Sequence, residues 1–555
     1  MSEFQIRQLD PLEPEALERT FRQLTRDEDI ASFTQAILDR YAQEPDNLLL
    51  AAWRARLTYG AEVVRKHVVA WRWAIPLALL NGLLFWWLAD EPYMFKLPGE
   101  MYGYMPWLLA YWMPISAVFI LIYLARTGGG WSWRVWGALA GVGGLSLFTF
   151  WAYRQMVPRV AVEQYLNLVV IHLPLCALTG IGFVTLAGRK DVENRFALLA
   201  KMLEALILAG MFVLVGGIFV GITAGLFEVL AVSLPEWAMR LLVAGGAGLI
   251  PLLVVAILYD PTRPPEEQSF DEGLNKVIAL ILQLMLPLSL IVLAIYLAFI
   301  PFNFRAPLTN RDVLIIYNIM LFAVMLLLLG VTPVRASEMS ENQGRWLRRG
   351  ILGLAGLALL VGLYALFAIV YRTWRGAVTP NRLAFIGWNV INIGLLFALL
   401  VGQWRAREEG EWGQALKRVF AQGAILYAGW ALFVVLATPW LFGRPSDPTF
   451  TDLPVPIQRA IYGGEHPILL KCSSPHIYLL ERGEKRWIKD IPTFEEQGFR
   501  WEDMHYVSCE DLRRIPDGRP IPPDAGPPPV PFSQYGPVPT AAPASAPTPT
   551  SASGN

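Results

Sequence analysis

The sequence predicts an all-α polytopic transmembrane bundle of about eleven spans, with a small extracytoplasmic α+β module at its C-terminal end. Three observations carry that expectation. Of the 555 residues, 55% are hydrophobic and 17% are charged, against about 25% charged in ordinary globular proteins. A soluble core stops growing near ~250–300 residues, so a larger water-soluble interior does not account for the deficit. Apolar runs of spanning length recur between residues 71 and 442, and Trp, which gathers at membrane–water interfaces, occurs 21 times.

A helix needs about 20 apolar residues to cross ~30 Å of hydrocarbon. By that rule the spans fall at 71–89, 105–125, 134–153, 165–187, 204–227, 241–258, 277–300, 313–331, 350–371, 383–402 and 419–442. The first carries the weakest span signal, with Asn81 and two turn-like flanks, although its "LLFWWLA" is strongly apolar. The opening "MSEFQIRQLD" lacks the basic-then-apolar start of a cleaved signal, so the first span is expected to serve as the insertion signal. With a cytoplasmic N-terminus, the inner loops hold 21 Lys and Arg and the outer loops nine, the bias that orients membrane proteins. An odd number of spans then leaves the C-terminus outside the plasma (inner) membrane.

Residues 1–70 read as a cytoplasmic helical segment. "PLEPEALERTFRQLT" begins after Pro with early acids, as helix N-termini prefer. Ile30, Phe33, Ile37 and Tyr41 repeat at helical spacing, and a third helix is expected from Pro45–Asp46 through "NLLLAAWRARL". Residues 443–520 hold the α+β module: "ILLKC", "HIYLLE", "KRWIKD" and "MHYVSC" as strands, "TFEEQGF" as a helix ending at Gly498, and "CEDLRRIP" as a last helical turn. Residues 521–555 are Pro-, Ala- and Ser-rich and are expected to be an extended, disordered tail.

The module is small enough to be marginal alone. Cys472 and Cys509 lie at opposite ends of it and predict a disulfide in an oxidising compartment. A competing reading joins Cys472, His476, His505 and Cys509 as four zinc ligands. Cys176, in an apolar span, reads as packing.

Ionisable groups inside spans point to transport or proton relay. Here they are few: His172 beside Pro174, Glu204 paired with Lys201, and Glu228 at a helix end. Asn318, Asn389, Asn392 and Gln283 read as hydrogen-bonding glue between helices. Gly217, Gly221 and Gly225, with Gly137 and Gly141, predict close helix approach within the bundle or in a dimer. No Walker loop, HExxH or GxSxG frame occurs, so no catalytic residue, cofactor or metal is assigned. Balanced charge, 46 basic against 46 acidic residues, gives no reason to expect nucleic acid. The expected partners are the lipid bilayer and an envelope or protein partner for the C-terminal module.

Two resemblances extend this reading. The loop "ADEPYMFKLPGEMYGY", with Asp90 and Glu91 after the first span, looks like the acidic first loop of membrane glycosyltransferases that use lipid-linked sugars; it implies a carboxylate acting as base or metal ligand. "LNKVIALILQLMLPLSLIVLAIYLAF" and "YRTWRGAVTPNRLAFIGWNVINIG", within residues 270–405, resemble the bacterial inner-membrane family called domain of unknown function 4153. Its Tyr-Gly-x-Thr-x-x-Arg pattern is similar to Thr379, Asn381 and Arg382 here, with the Gly offset at Gly376. That resemblance implies a polytopic bacterial membrane protein and no particular activity. From the residues themselves, Thr379 is expected to cap a helix beginning at Pro380, with Arg382 as an interfacial anchor. The leading functional expectation is a non-enzymatic envelope protein coupling the cytoplasmic cap to an outer binding or sensing module. A secondary transporter and a lipid-linked-sugar glycosyltransferase are the alternatives.

Overall fold

The computed structural model describes residues 14–23, 27–64, 69–97, 103–157, 159–230, 233–270, 274–309, 311–333, 341–375, 378–406, 411–444, 455, 457–458, 468–481 and 484–526. The predicted turn at 482–483 and the tail beyond 526 lie outside the described residues, as does Gly376. The chain forms two compact units, Met1–Val69 and Ala70–Asn555.

The first unit holds three helices, α1 (Pro14–Gln23), α2 (Asp27–Gln43) and α3 (Leu48–Val64). Their apolar faces meet around Leu17, Phe33, Ile37, Leu50, Trp53 and Leu57. Phe33 and Phe21 each present a ring to Trp53, with centroids 5.7 Å apart. α3 starts after the predicted Pro45–Asp46, because Asn47 caps it: its Oδ1 accepts from the amide of Leu49 at 3.1 Å.

The second unit is a helical bundle followed by a small sheet. Its helices are α4 (Trp71–Leu88), α5 (Trp107–Thr127), α6 (Trp133–Gln155), α7 (Arg159–Thr185), α8 (Val192–Val229), α9 (Glu236–Leu258, with a π-helical turn at Leu241–Gly245), α10 (Leu274–Phe299), α11 (Arg311–Val331), α12 (Glu341–Arg375), α13 (Pro380–Arg405) and α14 (Glu411–Phe442). Among the described residues, ten helices are long and apolar enough to cross a membrane, and α4 is not one of them. Its sequence carries Arg72 in the first turn and Asn81 in the middle, and Asn81 is fully buried. Its amide donates to Ser116 Oγ at 3.0 Å on α5 and to the Gly248 carbonyl at 2.7 Å on α9. The other side of α4 exposes Ile75, Leu79, Leu80, Leu83 and Trp87, as a lipid-facing helix does.

Helix ends gather on two faces. On the first, the Arg126 guanidinium lies over Trp73, Lys417 pairs with Glu193 at 2.7 Å, and Arg348 donates to the Gln403 and Ala406 carbonyls at the end of α13. On the second, Asp90 pairs with Arg240, Trp86 donates to the Trp237 carbonyl at 2.9 Å, and Val157 donates to the Gly443 carbonyl at 3.0 Å. α4 therefore reaches from one face to the other, and the module beyond Gly443 begins at the second.

The bundle core runs along one stripe of α12. Ile351, Leu354, Ala355, Ala358, Val361, Ala365 and Ala368 are all buried, and small residues at this spacing let neighbouring backbones come close. Two helix backbones also meet directly, between α4 and α9. A Cβ on Gly248 would sit 2.8 Å from the Gly82 Cα, and one on Gly82 would sit 2.7 Å from the Gly245 carbonyl oxygen. Within the bundle, the close approach expected at Gly217, Gly221, Gly225, Gly137 and Gly141 is not made: a Cβ at any of them would meet nothing within 4 Å. They lie on outward faces, and only 6% of the apolar window of α8 is buried. α8 is also longer than the expected 204–227, because its first three turns are capped by Asp191, which accepts from the Asn194 amide at 2.8 Å.

The C-terminal sheet has strand order β5–β4–β3–β6, formed by β3 (Ile468–Lys471), β4 (Ile477–Glu481), β5 (Glu484–Ile488) and β6 (Met504–Tyr506). A two-stranded hairpin before α5, β1 (Met94–Phe95) with β2 (Met105–Pro106), precedes these in the chain. β3 pairs antiparallel with β4 and parallel with β6. Side-chain alternation covers both faces. Ile468, Leu470, Tyr478 and Leu480 pack with Leu512 of α16 (Cys509–Arg514). Leu469, Ile477 and Ile488 pack with Phe494 of α15 (Ile491–Glu496). Gly498 adopts φ +70°, the left-handed conformation that ends a helix at a glycine.

These contacts set up a paired test. Gly248→Leu is expected to destabilise the protein by about 1–3 kcal/mol or more, the cost of overpacking, while Gly221→Leu leaves the thermal midpoint in detergent unchanged. A silent Gly248→Leu disproves the α4–α9 crossing.

Candidate functional site

A cavity of about 60 Å³ opens among α7, α11, α12 and α13, at their ends on the second face. Gln164, Asn318, Arg372, Thr379, Asn381 and Arg382 supply its polar lining, and Leu314, Ile315, Ile369 and Phe385 its apolar wall. The local sequence builds it. Thr379 Oγ1 accepts from the Arg382 amide at 3.3 Å and caps α13, with Pro380 at its first position. Arg382 does not reach to the interface as expected. It is buried, and its Nη1 donates to the Arg372 carbonyl at 2.9 Å, satisfying a helix-end acceptor that lipid leaves without water.

Below the cavity a seam of polar side chains continues into the bundle. Asn389 donates to Asn318 Oδ1 at 2.5 Å, and Asn318 to the Leu314 carbonyl at 2.7 Å. The Tyr427 hydroxyl bonds to Asn392. Trp388 Nε1 donates to His172 Nε2 at 2.9 Å, and His172 Nδ1 lies 2.8 Å from the Leu168 carbonyl. A carbonyl only accepts and an indole N–H only donates, so the pair fixes His172 as the neutral Nδ1–H tautomer. Protonation would set an Nε2–H against the indole donor. His172 is a structural hydrogen-bonding residue here, and a proton carrier in this position would first have to break the Trp388 contact.

The other residues singled out from the sequence are dispersed. Glu204 pairs with Lys201 at 2.7 Å, and Lys201 also reaches the Ser269 carbonyl and lies over Phe270. Glu228 is exposed at the end of α8. Asp90 is taken up by Arg240, and Glu91 is exposed beside it. Cys176 is free and buried. The sequence reading passed over Gln164, Trp388 and Tyr427. Their signal is positional: Trp388 and Asn392 lie four residues apart on α13, on the same side as Asn389 and Phe385.

In the module, Cys472 and Cys509 form a disulfide with Cα atoms 5.2 Å apart. Ser474 and Ser473 lie against the two sulfurs. Both thiols are thereby withdrawn from the four-ligand zinc reading. His476 instead turns edge-on to Trp487 at 6.2 Å, and burial, with the Lys471 ammonium, holds its pKa below the usual histidine value. Among the described residues, no three His, Cys, Asp or Glu converge to hold a metal.

Against known proteins, no family model, no curated protein and no solved structure matches this chain.

Trp388→Phe is expected to cost about 1–3 kcal/mol by leaving His172 Nε2 buried without its donor. The double variant His172→Leu with Trp388→Phe loses less than the sum of the single changes, read as melting temperatures in detergent. Strict additivity rejects the coupling. Replacing Cys472 and Cys509 by Ser, which opens a loop with a sequence separation of 37, is expected to cost about 3–4 kcal/mol. Its readout is module proteolysis at a lower urea concentration.

Proposed function

We propose that this chain is a non-enzymatic, multi-pass envelope protein that joins a cytoplasmic helical cap to an outer binding or sensing module. In this reading α4 is the eleventh span, the Lys- and Arg-rich first face is cytoplasmic, and the module beyond Gly443 lies outside. One observation carries it: the chain leaves the bundle at the face opposite the Arg126, Lys417 and Arg348 contacts, and the module it enters contains the Cys472–Cys509 pair. A disulfide persists in oxidising compartments, and cationic loops stay in the cytoplasm, so the two tendencies agree. The resemblance of residues 270–405 to the domain of unknown function 4153 family is consistent with a bacterial inner membrane and adds no activity.

Secondary transport is the second reading, favoured by the cavity among α7, α11, α12 and α13. Against it stand the small volume and the locked tautomer of His172. The glycosyltransferase reading gains no support from Asp90, whose carboxylate ties the end of α4 to the first turns of α9 through Arg240.

An alkaline phosphatase fused after Asn555 is expected to be active and a fluorescent protein fused there to be dark, with the opposite result at the N-terminus. A fluorescent C-terminal fusion refutes the arrangement.

A further inference from the structure

We infer that the first face of the bundle binds an anionic phospholipid, with its phosphate at Arg126 and Arg134 and an acyl chain along the outward side of α6. The α5–α6 connection, residues 126–134, carries these two cations and no acid. Arg126 is exposed in the last turn of α5. Its guanidinium lies 5.1 Å from the ring centre of Trp73 and 5.9 Å from that of Trp131, which stacks on Trp136 at 4.9 Å. Arg134, in the first turn of α6, lies over Trp133 at 5.4 Å and borders the α7–α8 turn, where a Cβ on Gly188 would sit 2.6 Å from its Nη2. That turn continues into Lys190, which is exposed. A ring face orients a guanidinium and leaves its charge in place. The acids of the adjoining loops are engaged elsewhere. Asp191 caps α8, Glu193 pairs with Lys417, and Asp260 pairs with Arg263 at 3.6 Å. Glu266 and Glu267 lie by the start of α8, where Asn194 accepts from the Glu266 amide. Among the described residues, no acid forms an ion pair with Arg126, Arg134 or Lys190.

The outward side of α6 continues from these rings. Trp133 and Trp136 are exposed, and beyond them Gly137, Gly141 and Gly144 present no side chain; a Cβ at any of the three would meet nothing within 4 Å. Steps of three and four residues keep them on one side of the helix. Leu147, exposed, closes this trough at its far end. From Gly137 to Leu147 the helix rises about 15 Å, at ~1.5 Å per residue. That is half of the ~30 Å hydrocarbon layer, the depth of one leaflet. A planar guanidinium fork matches phosphate geometry, Trp rings settle at the headgroup level, and basic clusters at the ends of membrane helices attract anionic headgroups. A dissolved phosphate would use the cations alone, whereas the trough beneath them fits a phosphate that carries a chain. The site needs this face to meet a membrane surface and does not depend on which side of the membrane that is, so it stands or falls separately from the topology above.

The test titrates the full chain, delipidated in detergent, with phosphatidylglycerol; phosphatidylcholine and inorganic phosphate are the controls. At concentrations ~100-fold above Kd, phosphatidylglycerol is expected to raise the melting temperature by about 2–3 °C. Arg126→Gln removes one cation and is expected to move the half-saturating concentration up about fivefold, and Arg126→Gln with Arg134→Gln about thirtyfold. Arg126 is exposed, so the single variant keeps the test decisive if the double variant does not fold. Arg154→Gln, which removes the same charge from the last turn at the other end of α6, retains the wild-type response. An equal shift with phosphatidylcholine or with inorganic phosphate overturns the site, as does an unchanged midpoint in Arg126→Gln or an equal loss in Arg154→Gln. A lipid-independent dimer in light scattering that Gly141→Leu splits assigns the outward side of α6 to a second copy and also overturns it.

Discussion

A backbone amide in hydrocarbon has no water to bond, and each one left unpaired costs several kcal/mol. That constraint organises the helical bundle of the second unit. It explains why the apolar stretches are helices throughout, and why breaks in them are repaired locally. Even a hydroxyl within a span finds a partner on its own helix: in α5, which contains Pro114, Ser116 Oγ donates back to the Trp112 carbonyl at 2.8 Å. At the end of α13, where carbonyls run out of helical partners, Arg348 supplies the donors. At the end of α12, Arg382 does the same.

The same rule governs the few polar side chains in the interior. Asn81, Asn318, Asn389 and His172 each meet a named partner, and most of those partners lie on another helix. Such bonds are individually modest in membranes, roughly 0.6 kcal/mol on average. Their greater effect is directional. They fix which side of α4 faces α9 and which side of α13 faces α7, in a bundle whose apolar surfaces resemble lipid on every side.

Much of this was legible in the sequence, and the failures have physical causes. The strands of the module and the cap at Thr379 follow from local chemistry, in alternation, glycine turns and a hydroxyl before a proline. The long helices follow from apolar length. Which helices touch does not follow, because a glycine stripe reads the same whether it meets a helix or an acyl chain. Gly217 and Gly221 face outward, while Gly245 and Gly248, in the less regular "VAGGAG", make the close crossing. Arg382 was misread for a related reason. A helix-end arginine is normally drawn to water, whereas here the carbonyl of Arg372, ten residues away, is among the groups that hold it inward. The cavity was invisible in the sequence because its lining comes from four separate helices.

The closure of α13 by Arg348 has a consequence for how such a protein evolves. In the orientation proposed above, the cation that ties off this helix, like Lys417 beside Glu193, also belongs to the loop charge bias that orients membrane proteins. Folding and threading therefore draw on the same residues. In the arrangement proposed above, moving Arg348 across the bilayer would take its donors from the Gln403 and Ala406 carbonyls, so a reversal of direction carries a cost at a helix end.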